Sequence, residues 1–249
     1  MPISPDRILY CDHAILAVNK LSGELVVKGS GKIQKLPLLD FLKKDYPGIH
    51  PLNRLDFETS GVVLFARTKK VLADVLGGNF RGWKKVYRTL VAGRMSQKQG
   101  EITMPLPARI QLSRGQAFMP AESRQATAVA TNPWQAEGLP PRKGGNVSAL
   151  TRFRVLERFE KVSYVEVEIE TGRHHQIRKH FSMIHHPLIL DEVYGDEKIN
   201  RSLSRRFRLH RFFLHAFSVD LPHPVTGQSI HVEAPMPRTF EMVLEQLRK

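Results

Sequence analysis

The chain is poor in cysteine, in acid and in long apolar runs, and each scarcity excludes something. Cys11 is the only cysteine in 249 residues, so no internal disulfide can form and no cysteine cage can hold zinc, and a reducing cytoplasm fits. The longest clean apolar stretch, Val62 to Ala66, has the length of a strand and falls far short of the roughly 18 residues of a membrane span. Met1 to Arg7 lacks the charged-then-apolar order of a secretory leader. Only 24 Asp plus Glu oppose 38 Lys plus Arg, a formal net charge of +14. A charge of that size concentrates polyanions, of which nucleic acid is the usual one and anionic membrane the second. Catalysis in such a chain must use carboxylates, histidines, hydroxyls or basic groups.

With 41% hydrophobic residues the chain can bury a sizeable core, as one large domain or two unequal ones. Arg7 to Tyr10, a Cys-Asp-His turn and Ala14 to Val18 read as a hairpin. Leu36 to Tyr46 reads as a short amphipathic helix stopped by Pro47-Gly48, Val62 to Arg67 as a buried strand, Lys69 to Phe80 as a helix and Lys84 to Val91 as a strand. Prolines and glycines punctuate Met95 to Ala149, which reads as connecting structure with a flexible segment near Asn132 to Val147. Ala149 to Leu156 and the alternating Val165, Val167 and Ile169 read as strands, the second with Glu166, Glu168 and Glu170 on a wet face. Thr171-Gly172 is placed to start a helix that ends at Pro187, with His174 and Arg178 sharing a face. Strands at Phe212 to Leu221 and Ser229 to Glu233 and a helix from Arg238 close the chain. This mixture, without a regular βαβ rhythm, predicts an α+β fold on a mixed, mainly antiparallel sheet.

Two clusters carry chemistry. Asn53 to Gly61 sets Asp56 beside Arg54 just before a buried strand, which suits a nucleophile or base held ionised by a cation. The competing reading is a turn-capping aspartate with a surface ion pair. Thr171 to Arg178 joins Arg173, His174 and Arg178 to a helix start, which suits phosphate capture or a partner for a catalytic carboxylate; a solvated basic face is the alternative. His174, His175, His180, His185 and His186, with Asp191 or Glu192, raise a metal reading, but their spacing lacks the His-Glu-x-x-His form, and no metal is expected.

The first cluster resembles the His-Arg-Leu-Asp-x-x-Thr-Ser-Gly signature of the RluA family of RNA pseudouridine synthases, and Thr171 to Arg178 resembles that family's Thr-Gly-Arg-x-His-Gln-Ile-Arg motif. Ala17 to Lys20, Lys85 to Gly93, Leu214 to Ala216, Pro222 to Gly227 and Ala234-Pro235 follow in family order. The similarity covers Arg7 to Pro237 apart from Gln97 to Asn146. It implies the pseudouridine synthase fold, a long sheet bent around a central cleft, as a single catalytic domain over 1–249 with a Pro/Gly-rich insertion around 97–147. It implies that uridine in tRNA or rRNA is isomerised without cofactor. Asp56 takes the place of the attacking aspartate, Tyr87 that of the tyrosine that packs on the uracil and transfers a proton, and Arg178 that of the cation paired with the aspartate. Arg54 takes the place of the arginine that holds the flipped-out nucleotide. Chemistry on a base requires taking it out of its stack, in keeping with these roles.

Two positions depart from the family pattern: Asn53 stands where histidine is usual, and Leu21 where the Asn-Lys motif is usually followed by proline. Many relatives carry an S4-type domain ahead of the catalytic part; with a hairpin from about Arg7, none is expected here. RNA contact is expected from Arg173, His174 and the basic run Arg201, Arg205, Arg206, Arg208 and Arg211, with Lys198 and His210 among them. Trp134 and Arg142-Lys143 add a stacking and charge candidate. A cytoplasmic monomer with RNA as partner, no membrane and no obligatory protein partner completes the expectation. The rival readings are a non-catalytic RNA-binding or ribosome-assembly protein on the same fold, and a metal-dependent hydrolase or nuclease built on the histidines.

Overall fold

A computed structural model describes residues 3–28, 36–78, 82–107, 146–209 and 211–249. A turn of 3-10 helix (Pro5–Arg7) leads into the hairpin of β1 (Ile8–Cys11) and β2 (Ile15–Lys20). Asp12 makes that turn, its carboxylate accepting the backbone N–H groups of Ala14 and Ile15, both at 2.7 Å. The chain continues through α1 (Leu38–Asp45), β3 (His50–Pro51), β4 (Ser60–Ala66), α2 (Lys69–Gly77), β5 (Lys84–Ala92), β6 (Gln99–Ile102), β7 (Leu106–Pro107) and β8 (Asn146–Val147). It then forms β9 (Thr151–Arg158), β10 (Val162–Ile169), α3 (Gln176–Met183), α4 (Glu197–Phe207), β11 (Leu214–Pro222), β12 (Ser229–Glu233) and α5 (Arg238–Arg248).

The main sheet runs β1-β2-β4-β11-β5-β10-β9-β6, with β3 on β4 and β12 on β11. Among the described residues its one parallel pair is β4 with β11; the other pairings are antiparallel. This is the expected mixed, mainly antiparallel α+β sheet. Period-two alternation gives each strand two packed faces. Tyr87 and Val91 of β5 join Val165, Val167, Ile177 and Phe181 on one side, while Leu90 and Ala92 join Tyr164, Phe240, Val243 and Leu244 under α5 on the other. Every residue of β4 is buried, so its continuous apolar run is that of a strand covered on both faces.

The parallel pair brings two backbones together at the centre of the molecule. Gly61 has φ +108°, and a Cβ there would lie 2.1 Å from the Ala216 carbonyl oxygen, so only glycine fits. Beside it the Ser60 hydroxyl lies 2.8 Å from His215 Nδ1, and His215 Nε2 lies 3.2 Å from the Ala234 carbonyl. The carbonyl can only accept, so Nε2 carries the hydrogen and Nδ1 accepts from Ser60. Burial pushes His215 down to about 4, which keeps the ring neutral.

Two expectations need correction. The segment Met95 to Ala149 is more than connecting structure, because β6 pairs with β9 and β7 with β8; its prolines and glycines mask strands that exist only through pairing. Helix α3 begins at Gln176, not at Thr171, since the Gln176 side-chain carbonyl takes the Thr171 hydroxyl and the Arg173 N–H and holds the preceding loop non-helical. His174 therefore precedes the helix and shares no face with Arg178. The arginine run, to which the sequence pattern assigns no element, lies largely on α4, which Asp196 caps by accepting the Ile199 N–H and which buries Leu203 and Phe207. Trp134, Arg142, Lys143, His210 and Phe80 lie outside the described residues.

Candidate active site

Asp56 lies on the loop between β3 and β4, and three side chains hold that loop. Asn53 mimics a strand: its carbonyl accepts the Leu64 N–H at 2.7 Å and its amide donates to the Val62 carbonyl at 3.4 Å. An amide offers both a donor and an acceptor, which is what an open β4 edge requires at this point. Lys20, fully buried at the end of β2, donates its ammonium to the carbonyls of Phe57 (3.1 Å), Thr59 (2.5 Å) and Leu21 (3.1 Å). Burial lowers this ammonium to about 8, against the opposing charges of Glu24 and Asp56. Arg211 donates to the Ser22 carbonyl at 3.1 Å and sits against Gly23, with its guanidinium 5.9 Å from the Phe57 ring.

Arg178 reaches Asp56 from α3, its Nη1 lying 3.4 Å from Asp56 Oδ2. The stronger partner of Arg178 is Asp191, wholly buried, whose carboxylate accepts Nε at 2.6 Å and Nη2 at 2.8 Å. This two-pronged contact fixes the plane of the guanidinium. Phe212 and Tyr194 pack on it, with ring centroids 4.5 Å and 5.1 Å from Cζ. Burial opposes the charge, but the hydrogen bonds and charge of Asp191, with Asp56 beyond, more than offset it and raise the arginine.

Tyr87 of β5 is buried between β10 and β11, opposite Val167 and Ala216. Burial, reinforced by the Asp56 charge, pushes its phenol far up, so it stays protonated. Asp56, Tyr87 and Arg178 all line one cleft of about 630 Å³, with Leu214, Ile169 and Val147 as apolar wall and Arg54, Arg173 and His174 as basic rim. The volume lies in the range of small-ligand sites and accommodates an extruded nucleotide. Arg54, Arg173 and His174 are exposed, as are Arg201, Arg205, Arg206 and Arg208 on or after α4. Arg201 pairs with Glu197 within its own helix.

The sequence reading thus brings Asp56, Tyr87, Arg54 and Arg178 into one cleft, and it misses three contributors. Asp191 enters that reading as a possible metal ligand, yet it positions Arg178. Lys20 has no role there beyond its motif, and only its total burial reveals the clamp. His175, counted among possible metal ligands, lies with Nε2 3.6 Å from Asp56 Oδ2. Of the other histidines of the metal reading, His174 stacks on His175 at the cleft rim, whereas the ring nitrogens of His180 meet Thr151 and the Met104 carbonyl and His186 meets the Ala92 carbonyl.

A mixed, mainly antiparallel sheet with a carboxylate, an arginine and a tyrosine lining one cleft defines the class, and solved structures share the fold. "Human RNA Pseudouridylate Synthase Domain Containing 4" matches with a TM-score of 0.72 at 22% identity, over 98% of this chain and 93% of that one. "Human RNA Pseudouridylate Synthase Domain Containing 1" matches with a TM-score of 0.68 at 23% identity, over 100% of this chain and 98% of that one. The fold is that of the pseudouridine synthases. In sequence, the family described as RNA pseudouridylate synthase matches residues 14–183. The "Ribosomal large subunit pseudouridine synthase C" of Escherichia coli (strain K12) is 33% identical over 246 residues, 98% of this chain and 70% of its own length. The protein of the same name from Vibrio vulnificus (strain CMCP6) is 31% identical over 246 residues, 98% of this chain and 70% of its own length. The chain belongs to the RNA pseudouridylate synthase family, and is an isomerase that acts on RNA.

Proposed function

We propose that this enzyme converts one or a few uridines of large-subunit ribosomal RNA to pseudouridine, with Asp56 as nucleophile. The observation that carries the assignment of roles is the approach of Arg178 Nη1 to Asp56 Oδ2 at 3.4 Å in a cleft floored by Tyr87. The names of the 31–33% identical relatives support the ribosomal target. In this reading the target nucleotide leaves its stack and its uracil packs on Tyr87. Asp56 attacks C1′ as the C1′–N1 bond breaks, the uracil turns within the cleft, and a C1′–C5 bond forms as the bond between Asp56 and C1′ breaks. The C5 proton is then lost and N1 gains one, so the product is an isomer of the substrate. Because the Tyr87 phenol is held protonated at neutral pH, its part is to stack and donate rather than to act as the resting base.

Arg54, Arg173 and His174 meet the nucleotide at the cleft rim, while Arg201, Arg205, Arg206 and Arg208 track phosphates farther out. Arg211 stands apart from them, since its guanidinium braces the Ser22-Gly23 turn against the catalytic loop. One chain supplies Asp56, Tyr87 and Arg178, so the reading needs no second subunit and treats 1–249 as one catalytic unit. No described helix is long and apolar enough to cross a membrane, and ribosomal RNA as substrate places the work in the cytoplasm.

The test is pseudouridine mapping of rRNA and tRNA from cells lacking this chain, complemented with wild type or Asp56→Ala. Sites in large-subunit rRNA should vanish and return only with wild type. Sites lost from tRNA instead would move the substrate assignment, and restoration by Asp56→Ala would remove Asp56 as nucleophile.

A further inference from the structure

His175 approaches the reacting carboxylate from a strained position. It immediately precedes α3 with φ +55°, in the left-handed region that side-chain-bearing residues seldom occupy unless the surroundings impose it. Its Nε2 lies 3.6 Å from Asp56 Oδ2 and its Nδ1 lies 3.1 Å from the Tyr194 hydroxyl. The Tyr194 ring meets the imidazole edge-on at 5.6 Å. Tyr194 is itself anchored, because Asp191 Oδ1 accepts the backbone N–H groups of Val193 at 2.9 Å and Tyr194 at 3.0 Å while the same carboxylate grips Arg178. One buried aspartate thus organises both groups that converge on Asp56.

We propose that His175 is a positioning residue for the isomerisation: its Nε2–H, with Arg178 Nη1, holds Oδ2 of Asp56 so that Oδ1 faces the substrate. A carboxylate only accepts, so the imidazole hydrogen lies on Nε2 and Nδ1 accepts from the Tyr194 hydroxyl. Both His175 and Arg178 address Oδ2, and among the described residues no hydrogen bond or ion pair falls on Oδ1. At 3.6 Å the imidazole stands just beyond hydrogen-bond length from Oδ2, and in this proposal the two donors close on that oxygen, and so stop the carboxylate from turning, as such contacts tighten once a substrate is seated. The ring is suited to the part. Burial pushes it down to about 4, which the Asp56 charge opposes and the neighbouring Arg178, His174 and Lys179 reinforce, so it is a neutral one-donor, one-acceptor group at working pH.

The inference rests on Asp56 being the nucleophile, and the experiment separates the two. The rate of pseudouridine formation is followed on a transcript carrying the uridine identified by the mapping above. Variants are His175→Asn, His175→Gln, Tyr194→Phe, the His175→Asn/Tyr194→Phe pair, and Asp56→Asn. Asparagine tolerates left-handed backbone but stops short of Asp56, whereas the glutamine amide reaches the Nε2 position. His175→Asn should lower kcat about tenfold, the scale of one hydrogen bond to a charged group, with KM changed by no more than about twofold. His175→Gln should recover most of the loss, Tyr194→Phe should show a smaller one, and the double variant should be no slower than His175→Asn alone. A kcat for His175→Asn equal to wild type, a loss confined to KM, or losses that simply add in the double variant overturns the proposal. If His175→Asn does not fold, an unchanged kcat for Tyr194→Phe together with an impaired His175→Gln counts against it equally. Wild-type turnover by Asp56→Asn sinks the underlying reading instead, while an inactive Asp56→Asn beside a normal His175→Asn removes only the positioning role.

Discussion

Arg178 gives two nitrogens to Asp191, at 2.6 and 2.8 Å, and only the remaining one to Asp56, at 3.4 Å. The buried carboxylate fixes the guanidinium, and the partly exposed one receives what is left of it. An arginine paired only with Asp56 would follow that side chain's motion; this one is a fixed post against which Asp56 is set.

Asp191→Ala should therefore cost both stability and turnover. Leaving Arg178 as an uncompensated buried charge costs about 3–5 kcal/mol, and for a chain of this size that lowers Tm by roughly 10 °C. Thermal unfolding by circular dichroism measures it. A melting point unchanged from wild type would mean that Arg178 finds other partners and that Asp191 is dispensable.

Lys20→Met should slow the reaction without touching the substrate. Without the ammonium the Phe57 and Thr59 carbonyls lose their common donor, and a shift of about 1 Å in the Asp56 loop costs on the order of a hundredfold in rate. Lys20 also leaves a mark on pH-dependent stability. Between about 8 and its ordinary 10.5 the unfolded chain binds a proton that the folded one does not. The cost of burying the ammonium is thus carried in full below about 8 and relieved as pH rises through that window. Urea titrations across the window should show that rise in wild type and a flatter curve in Lys20→Met; parallel curves would contradict the clamp.

On the acid side His215 contributes alongside His175. Burial lowers His215 from 6.5 to about 4, so the unfolded chain takes up a proton that the folded chain refuses. The stability tied to the neutral ring is complete above about 6.5 and is lost as pH falls toward 4. Denaturation at about pH 7 and about pH 5 should show a smaller difference for His215→Gln than for wild type. An equal difference in both would assign the acid sensitivity to other groups.

The basic run should divide by function. Replacing Arg205, Arg206 and Arg208 together with alanine should lower the slope of log affinity against log salt by about 0.7 to 0.9 for each phosphate no longer neutralised, and leave kcat at saturating RNA unchanged. Arg211→Ala should do the reverse, slowing turnover with little change in salt slope, because one arm of its guanidinium is held on the Ser22 carbonyl against Gly23. Filter binding and steady-state kinetics on the same transcript distinguish the two. If all four arginines behave alike, Arg211 is a phosphate ligand and not a brace.

The sequence predicts the N-terminal hairpin, β4, β5, β9 and the β11–β12 hairpin to within about two residues, and it finds the alternation of β10 and the start of α5, because each carries its own periodicity or turn residues. The strands β6, β7 and β8 are short and Pro/Gly-punctuated, and they are strands only by virtue of a partner. The start of α3 escapes sequence reasoning because the Gln176 side chain, not the Thr171-Gly172 composition, decides where helical backbone can begin.

Local pattern and charge pointed to the α+β class and a polyanionic partner, and the ordered motifs carried the resemblance that singles out Asp56, Tyr87 and Arg178, since motif order and charge are properties of a chain read in one dimension. Tertiary structure alone decided how those groups are held. It places Asp191 beneath Arg178, Lys20 beneath the Asp56 loop, Ser60 on His215, and His175 in a left-handed turn facing Asp56. Each is a contact between segments distant in the chain or a backbone angle imposed by packing. Buried polar groups take whatever partner the fold brings within about 3 Å, and no spacing along the sequence encodes that choice.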